Sequence, residues 1–267
     1  MRPFRSRLRA GERLCGTLLS IHAPEVADLL AGAGFDWLFL DAEHGAIDPR
    51  GVLDLLYAVA DRTPCLVRVP ALEEDWIKRV LDAGADGIIV PQVGSAAQAE
   101  AAVRFAHHPP RGTRGLGTSR ANRYGLDLPA YLRAVAERVT VVVQAETSQA
   151  VAEIESIVRV PGVDAVFVGP FDLSASLGRP GEVTHPEVEG AIRRVRAAAA
   201  TAGLPAGIFA LGAAGLARWA AEGFTLLAAG VDAALLGAAA ADLLGGLRGL
   251  PGPGPAWAAG PGPGVPR

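Results

Sequence analysis

The chain has 267 residues, half of them apolar, enough to bury a substantial core in one large domain. Its formal charge of −3 holds no basic excess for neutralising phosphates, which argues against a nucleic-acid partner and leaves small or acidic metabolites open. Nearly all the positive charge is arginine; Lys78 is the only lysine.

The N-terminus MRPFRSRLRAGERLCG is basic but has neither an apolar h-region nor a small-residue cleavage site, so no secretion is read and a cytoplasmic location is expected. Short apolar runs then recur at residues 15–19, 37–41, 65–69, 87–91, 139–144, 165–169, 206–209 and 225–229. Between them lie stretches of helical period at 24–31, 49–60, 73–83, 96–106, 148–158, 186–202 and 213–221. Such alternation is the signature of strands and helices around a parallel sheet. Eight units in about 245 residues match a (β/α)8 barrel, usually roughly 250 residues, with a doubly wound open sheet as the competitor. Gly34, Gly84, Gly203 and Gly223 each follow a helical run and precede a strand, as helix-terminating glycines do.

Cys15 and Cys65 fall inside apolar runs and read as small core residues in a reducing compartment. His22, His107, His108 and His185 lie beside prolines in loops or helix starts and read as surface residues. The one irregular connection, residues 92–138, holds a helix and then RGTRGLGTSRANRYG. Its Arg114, Arg120, Arg123 and glycine amides could cradle an anion, form a subunit contact or make a solvated loop. Residues 224–247 are apolar enough to resemble a membrane span, but Asp232 and Asp242 interrupt them, so a strand and helix outside lipid are expected. After Leu250 the sequence PGPGPAWAAGPGPGVPR is too rich in proline and glycine to pack, giving an expected barrel over 1–250 and a mobile tail over 251–267.

Barrels of this type take their reactive groups from the C-terminal ends of strands. There the second strand, in FDWLFLDAEHG, delivers Asp41, Glu43 and His44; the third ends at Arg68, the fifth at Gln144 and Glu146, and the sixth leads through Gly169 and Pro170 to Asp172. The hard carboxylates of Glu146 and Asp172, from neighbouring strands, suit Mg²⁺, Mn²⁺ or Co²⁺, whereas zinc's usual Cys and His are missing from these ends. Each acid could instead cap the helix that follows it. Of Asp41 and Glu43, one is expected to orient His44 or a metal-bound water and the other to cap the helix beginning near Asp48. His44 is the candidate for moving a proton, its ordinary pKa being ~6.5, or else a structural histidine held by the carboxylates. Arg68 needs an anion to be buried: a substrate carboxylate or enolate, or a bridge to Asp41 or Glu43.

In order and spacing, AGAGFDWLFLDAEHG, RVP, LDAGADGIIVPQV, VVVQAET and GVDAVFVGPFDLSASLG resemble the HpcH/HpaI family of class II pyruvate aldolases, over about residues 4–247. The resemblance implies a (β/α)8 TIM barrel of the phosphoenolpyruvate/pyruvate superfamily type, its last helix exchanged between subunits of a hexamer. It implies Glu146 and Asp172 as ligands of the divalent metal and Gln144 as their neighbour, either behind the ligands or on the substrate side. It makes His44 the acid–base residue acting with a metal-bound water, Arg68 the group on the pyruvate oxygen, and Asp41 part of the catalytic set. Asp82, which on sequence alone reads as a charge on a helix surface, matches a position that in this family can pair with the catalytic histidine of a neighbouring subunit, and Gly169, Pro170 and the backbone around Ser174 should meet the substrate. The implied reaction is reversible cleavage of a 4-hydroxy-2-oxo acid into pyruvate, or a close 2-oxo acid, and an aldehyde. An acyl-coenzyme A ester lyase of the citrate lyase type is the alternative, and a non-catalytic barrel ranks last. A Schiff-base aldolase needs a lysine at a strand end, and Lys78 falls within the expected helix 73–83. Ala42 and Gly45 stand where many relatives carry Gly and Ala, an exchange expected to be tolerable. Near Leu18 and Leu19 the tryptophan of some relatives is missing, and the seventh strand ends IFALGA without the usual asparagine; these positions are expected to line the aldehyde pocket.

Overall fold

A computed structural model describes residues 2–249; the proline- and glycine-rich tail expected at 251–267 lies outside the described residues. In chain order the elements are α1 (Phe4–Arg9), β1 (Leu14–Leu19), α2 (Pro24–Gly32), β2 (Trp37–Asp41), α3 (Pro49–Val59), β3 (Cys65–Arg68), α4 (Glu74–Asp82) and β4 (Gly87–Val90). There follow α5 (Ala96–Ala106), a 3-10 turn (Arg120–Gly125), α6 (Leu128–Arg138), β5 (Thr140–Ala145), α7 (Ser148–Ala152), α8 (Ile154–Ile157), β6 (Ala165–Val168) and α9 (Pro170–Ser176). The last are α10 (Pro186–Thr201), β7 (Ala206–Ala210), α11 (Ala213–Ala221), β8 (Leu226–Val231) and α12 (Asp232–Arg248). All eight strands are parallel, each pairs with the next, and β1 closes on β8. The open-sheet alternative is thereby excluded.

Two compact units divide the chain, Met1–Asp232 and Ala233–Arg267. The first contains the barrel. Of the second, the described part is the remainder of α12, whose Leu235, Leu236, Leu243, Leu244 and Leu247 are exposed. No helix among the described residues is long and apolar enough to cross a membrane.

Strand side chains alternate between two cores, because successive Cβ atoms point to opposite faces. Leu38 and Leu40 of β2, Val67 of β3 and Val143 of β5 face outward into the layer shared with the helices. Trp37, Phe39, Leu66, Val142, Ala165 and Phe167 face the barrel interior. Small residues make room for large ones: a Cβ on Gly16 would meet the Trp37 indole at 2.6 Å. At the N-terminal end α1 closes the interior, with Phe4 6.2 Å from Trp37 between ring centroids and Leu8 in the same cluster. Asp164 fastens this closure, accepting hydrogen bonds from Arg5 Nε at 2.8 Å, Arg9 Nε at 2.7 Å and the Val141 amide at 2.9 Å.

Several local expectations change. Residues 148–158 form two short helices, α7 and α8, because Glu153 leaves helical geometry at φ −96°, ψ 8°. Connection 92–138 holds a second helix, α6, beyond the one expected there. Cys15 is exposed, since only Cys65 points into a packed layer, and both thiols are free. His107 is buried rather than at the surface, just beyond the end of α5. Gly34, Gly84, Gly203 and Gly223 all take positive φ after helices, as expected.

Candidate active site

The same alternation builds a polar mouth at the C-terminal ends of the strands. Asp41 lies two residues beyond Phe39, Arg68 two beyond Leu66, Gln144 two beyond Val142 and Gly169 two beyond Phe167, so each projects from the interior face. They border a cavity of about 490 Å³ together with His44, Pro170 and Asp172, over a floor that includes Phe39 and Phe167.

Asp41 and Arg68 are register partners on β2 and β3. Arg68 donates from Nε to Asp41 Oδ1 at 2.9 Å and from Nη2 to Oδ2 at 2.7 Å. Its Nη1 lies 3.0 Å from Glu43 Oε2, near enough for charge pairing but off the line of a hydrogen bond. Burial works against the Arg68 charge, yet the hydrogen bond and charge of Asp41, with Glu43 and Glu146 beyond, outweigh it and raise the guanidinium pKa. Two of its five N–H groups are taken by Asp41, which leaves donors for an oxyanion. Asp41 Oδ1 also accepts from the amides of Glu43 at 3.1 Å and His44 at 3.3 Å, so the acid shapes the turn that carries His44. Neither Asp41 nor Glu43 caps the next helix; Asp48 does, accepting from the Gly51 amide at 2.7 Å. In this turn a Cβ on Gly45 would run into the Asp41 carbonyl, so here the glycine is required by contact. Burial pushes the Glu43 carboxyl up, against the pull of Arg68 and His44. The His44 ring is exposed at the cavity wall.

Glu146 is buried just beyond β5. Its Oε1 accepts from the Gln92 amide at 2.8 Å, and its Oε2 accepts from Gln144 Nε2. Gln92 reaches it from a left-handed backbone at φ +54°, a strain of about 1–2 kcal/mol for a non-glycine residue. Burial pushes the Glu146 carboxyl up to about 7; the Gln92 amide opposes the shift, and Asp172 and Glu43 add to it by like-charge repulsion. Glu146 is not the helix cap either, because Thr147 accepts the Ala150 amide at the start of α7. Asp172 sits in the first turn of α9, whose N-cap is Gly169, and has no hydrogen-bond or ion-pair partner among the described residues. A Cβ on Gly169 would come within 2.6 Å of Glu146 Oε2 and 2.7 Å of Gln144 Nε2. Only glycine lets the end of β6 approach this carboxylate so closely.

These groups fit a hard divalent cation. Glu146 is a buried carboxylate short of positive charge, Asp172 is an unengaged one beside it, and Gln144 Oε1 is a buried acceptor with no partner. Among the described residues no three His, Cys, Asp or Glu side chains cluster as ligands. Two carboxylates with water and substrate oxygens filling the other positions is the pattern magnesium favours.

Ser174 and Asp82 stand apart. The Ser174 hydroxyl donates to the Phe171 carbonyl at 2.6 Å and accepts from the Gly181 amide at 3.0 Å, and the residue is not part of the cavity wall. Asp82, at the end of α4, pairs at 2.5 Å with Arg114, a fully buried arginine of the 112–125 segment. Arg120 of the same segment donates to the carbonyls of Ala83 and Leu56, at 3.0 and 3.2 Å. A larger cavity of about 650 Å³ lies beside this segment, bordered by Asp86 and Val139 at the N-terminal ends of β4 and β5. It is remote from the strand-end carboxylates.

A family model described as HpcH/HpaI aldolase/citrate lyase matches residues 16–239. The chain belongs to the HpcH/HpaI family. A 4-hydroxy-2-oxovalerate aldolase from Rhodococcus jostii is 42% identical over 239 residues, 87% of this chain and 91% of that protein. A hydroxypyruvate/pyruvate aldolase from Pseudomonas aeruginosa is 40% identical over 249 residues, 92% of each chain. Among solved structures, an HpcH/HpaI aldolase/citrate lyase family protein from Burkholderia cenocepacia superposes with a TM-score of 0.88 at 40% identity, covering 91% of this chain and 98% of its own. The HpcH/HpaI resemblance read from the five motifs and the barrel fold is thus borne out.

Sequence reasoning missed one member of the mouth. Asp232 accepts hydrogen bonds from the Ser20 amide at 3.0 Å, the Ser20 hydroxyl at 2.7 Å and the Ile21 amide at 2.9 Å, tying the end of β8 to the loop after β1. In the sequence it read only as a charge interrupting an apolar run.

Proposed function

We propose that this HpcH/HpaI chain is a divalent-metal-dependent aldolase that reversibly cleaves a 4-hydroxy-2-oxo acid to pyruvate, or a close 2-oxo acid, and an aldehyde. The observation that carries it is Glu146, a buried carboxyl pushed up to about 7 with the unengaged Asp172 beside it at the mouth of an aldolase-family barrel. The aldolase names of the two relatives near 40% identity support it over the acyl-coenzyme A lyase alternative.

Glu146 and Asp172 would hold the ion, with Gln144 fixing the Glu146 carboxylate. Bound there, a divalent ion supplies Lewis-acid stabilisation of the negative charge that grows on the 2-oxo acid as it becomes an enolate. Arg68, anchored by Asp41, adds a fixed positive charge at the same oxygens. His44, on the turn that Asp41 shapes, takes the C4 hydroxyl proton as the C3–C4 bond breaks. The enolate is then protonated at C3 to give pyruvate. Gly169 and Pro170 border the bound acid.

The choice among Mg²⁺, Mn²⁺ and Co²⁺, the cytoplasmic location and the hexamer with exchanged last helices belong to this proposal. So do the single barrel domain over 1–250 and the use of Asp82 and the Ser174 backbone. Asp82 lies off its own chain's cavity and keeps about a third of its side chain exposed. The exposed leucines of α12 support burial against a second subunit. Protein stripped with a chelator should lose retro-aldol turnover and regain it with one of the three ions. Undiminished turnover after chelation would sink the metal-dependent mechanism, and light scattering reads the assembly.

A further inference from the structure

We propose that the acceptor aldehyde carries an apolar chain, seated against the β7, β8 and β1 side of the cavity, in preference to a carboxylated or polyhydroxylated one. The inference rests on the aldolase reading and extends it to the substrate class.

Among the described residues the charged side chains that line the cavity come from one arc of the barrel, and the Asp232 carboxylate at the end of β8 lies behind the wall, bound to Ser20 and Ile21. Asp41, Arg68 and Asp172 belong to the ends of β2, β3 and β6. The remaining arc is apolar: Leu18 comes from β1, Phe209 from β7, Leu211 from the residue after it and Val231 from the end of β8. Strand order makes these neighbours, since β7 pairs with β8 and β8 with β1. One hydroxyl lies among them, that of Ser20, and it is committed to Asp232 at 2.7 Å.

Reaction geometry assigns the apolar arc to the acceptor. The 2-oxo acid must lie against Arg68 and the two carboxylates, so the aldehyde carbon bonded to its C3 extends away from them. A cavity of about 490 Å³ has space for that extension, falling within the roughly 300–1,000 Å³ of sites that hold drug-sized ligands. Among the described residues Arg68 is the one arginine or lysine on the wall; it is paired with Asp41 and Glu43, and its remaining donors serve the 2-oxo acid. An acceptor carboxylate or a row of hydroxyls would therefore be desolvated with no partner. Leu211, 64% exposed at the rim, gains cover when a hydrocarbon chain fills the arc.

The test uses the full chain with Mn²⁺ and pyruvate in the aldol direction. Values of kcat/KM should rise from acetaldehyde through butanal to hexanal, by at most about fourfold per methylene. Butanal should exceed succinic semialdehyde, of equal chain length, and glyceraldehyde by about tenfold or more. Equal or faster turnover of either polar aldehyde overturns the proposal. Leu211→Arg should raise the ratio of succinic semialdehyde to butanal about tenfold, and an unmoved ratio counts against the placement of the chain. Deuterium exchange into C3 of pyruvate needs no acceptor and is followed in parallel. Exchange with the acceptor order reversed defeats only this inference; no exchange with any of the three ions brings down the aldolase reading with it.

Discussion

Asp41 and Arg68 sit opposite one another on adjacent strands and are joined by two near-parallel hydrogen bonds of 2.9 and 2.7 Å, almost fully out of water. The pair does two jobs, keeping a cation at the cavity and fastening the turn that carries His44. A buried ion pair is expensive to form, so its presence is better explained by preorganisation than by stability.

Removing one partner strands the other. Asp41→Ala should cost about 3 kcal/mol in urea denaturation, because buried Arg68 loses both of its hydrogen-bonded oxygens and keeps only the charge of Glu43 beside its third nitrogen. The double variant Asp41→Leu, Arg68→Met should lose less than the single one while remaining inactive. A single variant within about 1 kcal/mol of the parent contradicts the pairing described here.

Gly169→Ala tests the close approach at β6. The added methyl would fall within 2.6 Å of Glu146 Oε2, forcing the carboxylate or the strand to shift. Calorimetric titration with Mn²⁺ should show affinity lowered at least about tenfold, the scale of losing support behind a ligand. Unchanged affinity would mean that Glu146 does not contact the ion.

His107 predicts a pH dependence of stability. Burial lowers its pKa from 6.5 to about 4, with Arg5 adding to the shift, Asp164 opposing it, and Arg111 and Arg114 contributing further. Above pH 6.5 the ring is neutral in folded and unfolded chains alike. Between 6.5 and about 4 only the unfolded chain binds the proton, so stability should fall with pH by up to about 1.4 kcal/mol per unit and then level off. His107→Gln should remove this component, seen as a smaller difference between denaturation midpoints at pH 7 and pH 5. Equal differences in both proteins would refute it.

Lys78 separates the two ways of stabilising an enolate. It lies on α4, where its Nζ pairs with Asp75 at 3.3 Å, and it takes no part in the cavity wall. Lys78→Arg should leave turnover within about twofold, and borohydride with pyruvate should leave no adduct detectable by mass spectrometry. A trapped lysine would replace the metal mechanism with a covalent one.

The strand ends of this chain were legible because their chemistry is local. A greasy run that stops at Asp41, Glu43 and His44, or at Gln144 and Glu146, announces a polar mouth whatever lies around it. What could not be read was which acid meets which base. Arg68 had two anions within reach of the argument, and the structure chose Asp41 through strand register while keeping Glu43 at its third nitrogen. Asp232 looked like a flaw in an apolar segment until closure brought it to Ser20, 212 residues away in the chain. His107 and Cys15 were misplaced because burial depends on what covers a residue, and neighbouring sequence carries no record of that.

By itself, then, the sequence determined the alternation of eight strands and helices, the glycines that end those helices and the polar groups set at the strand ends, all of which follow from periodicity and side-chain chemistry over a few residues. Only the tertiary structure decided which strand face points inward, which charges neutralise one another and which arc of the mouth is left apolar. The strands are apolar on both faces, so their pattern is silent about direction; closing β1 onto β8 sets one parity for every strand and, with it, every meeting in the site.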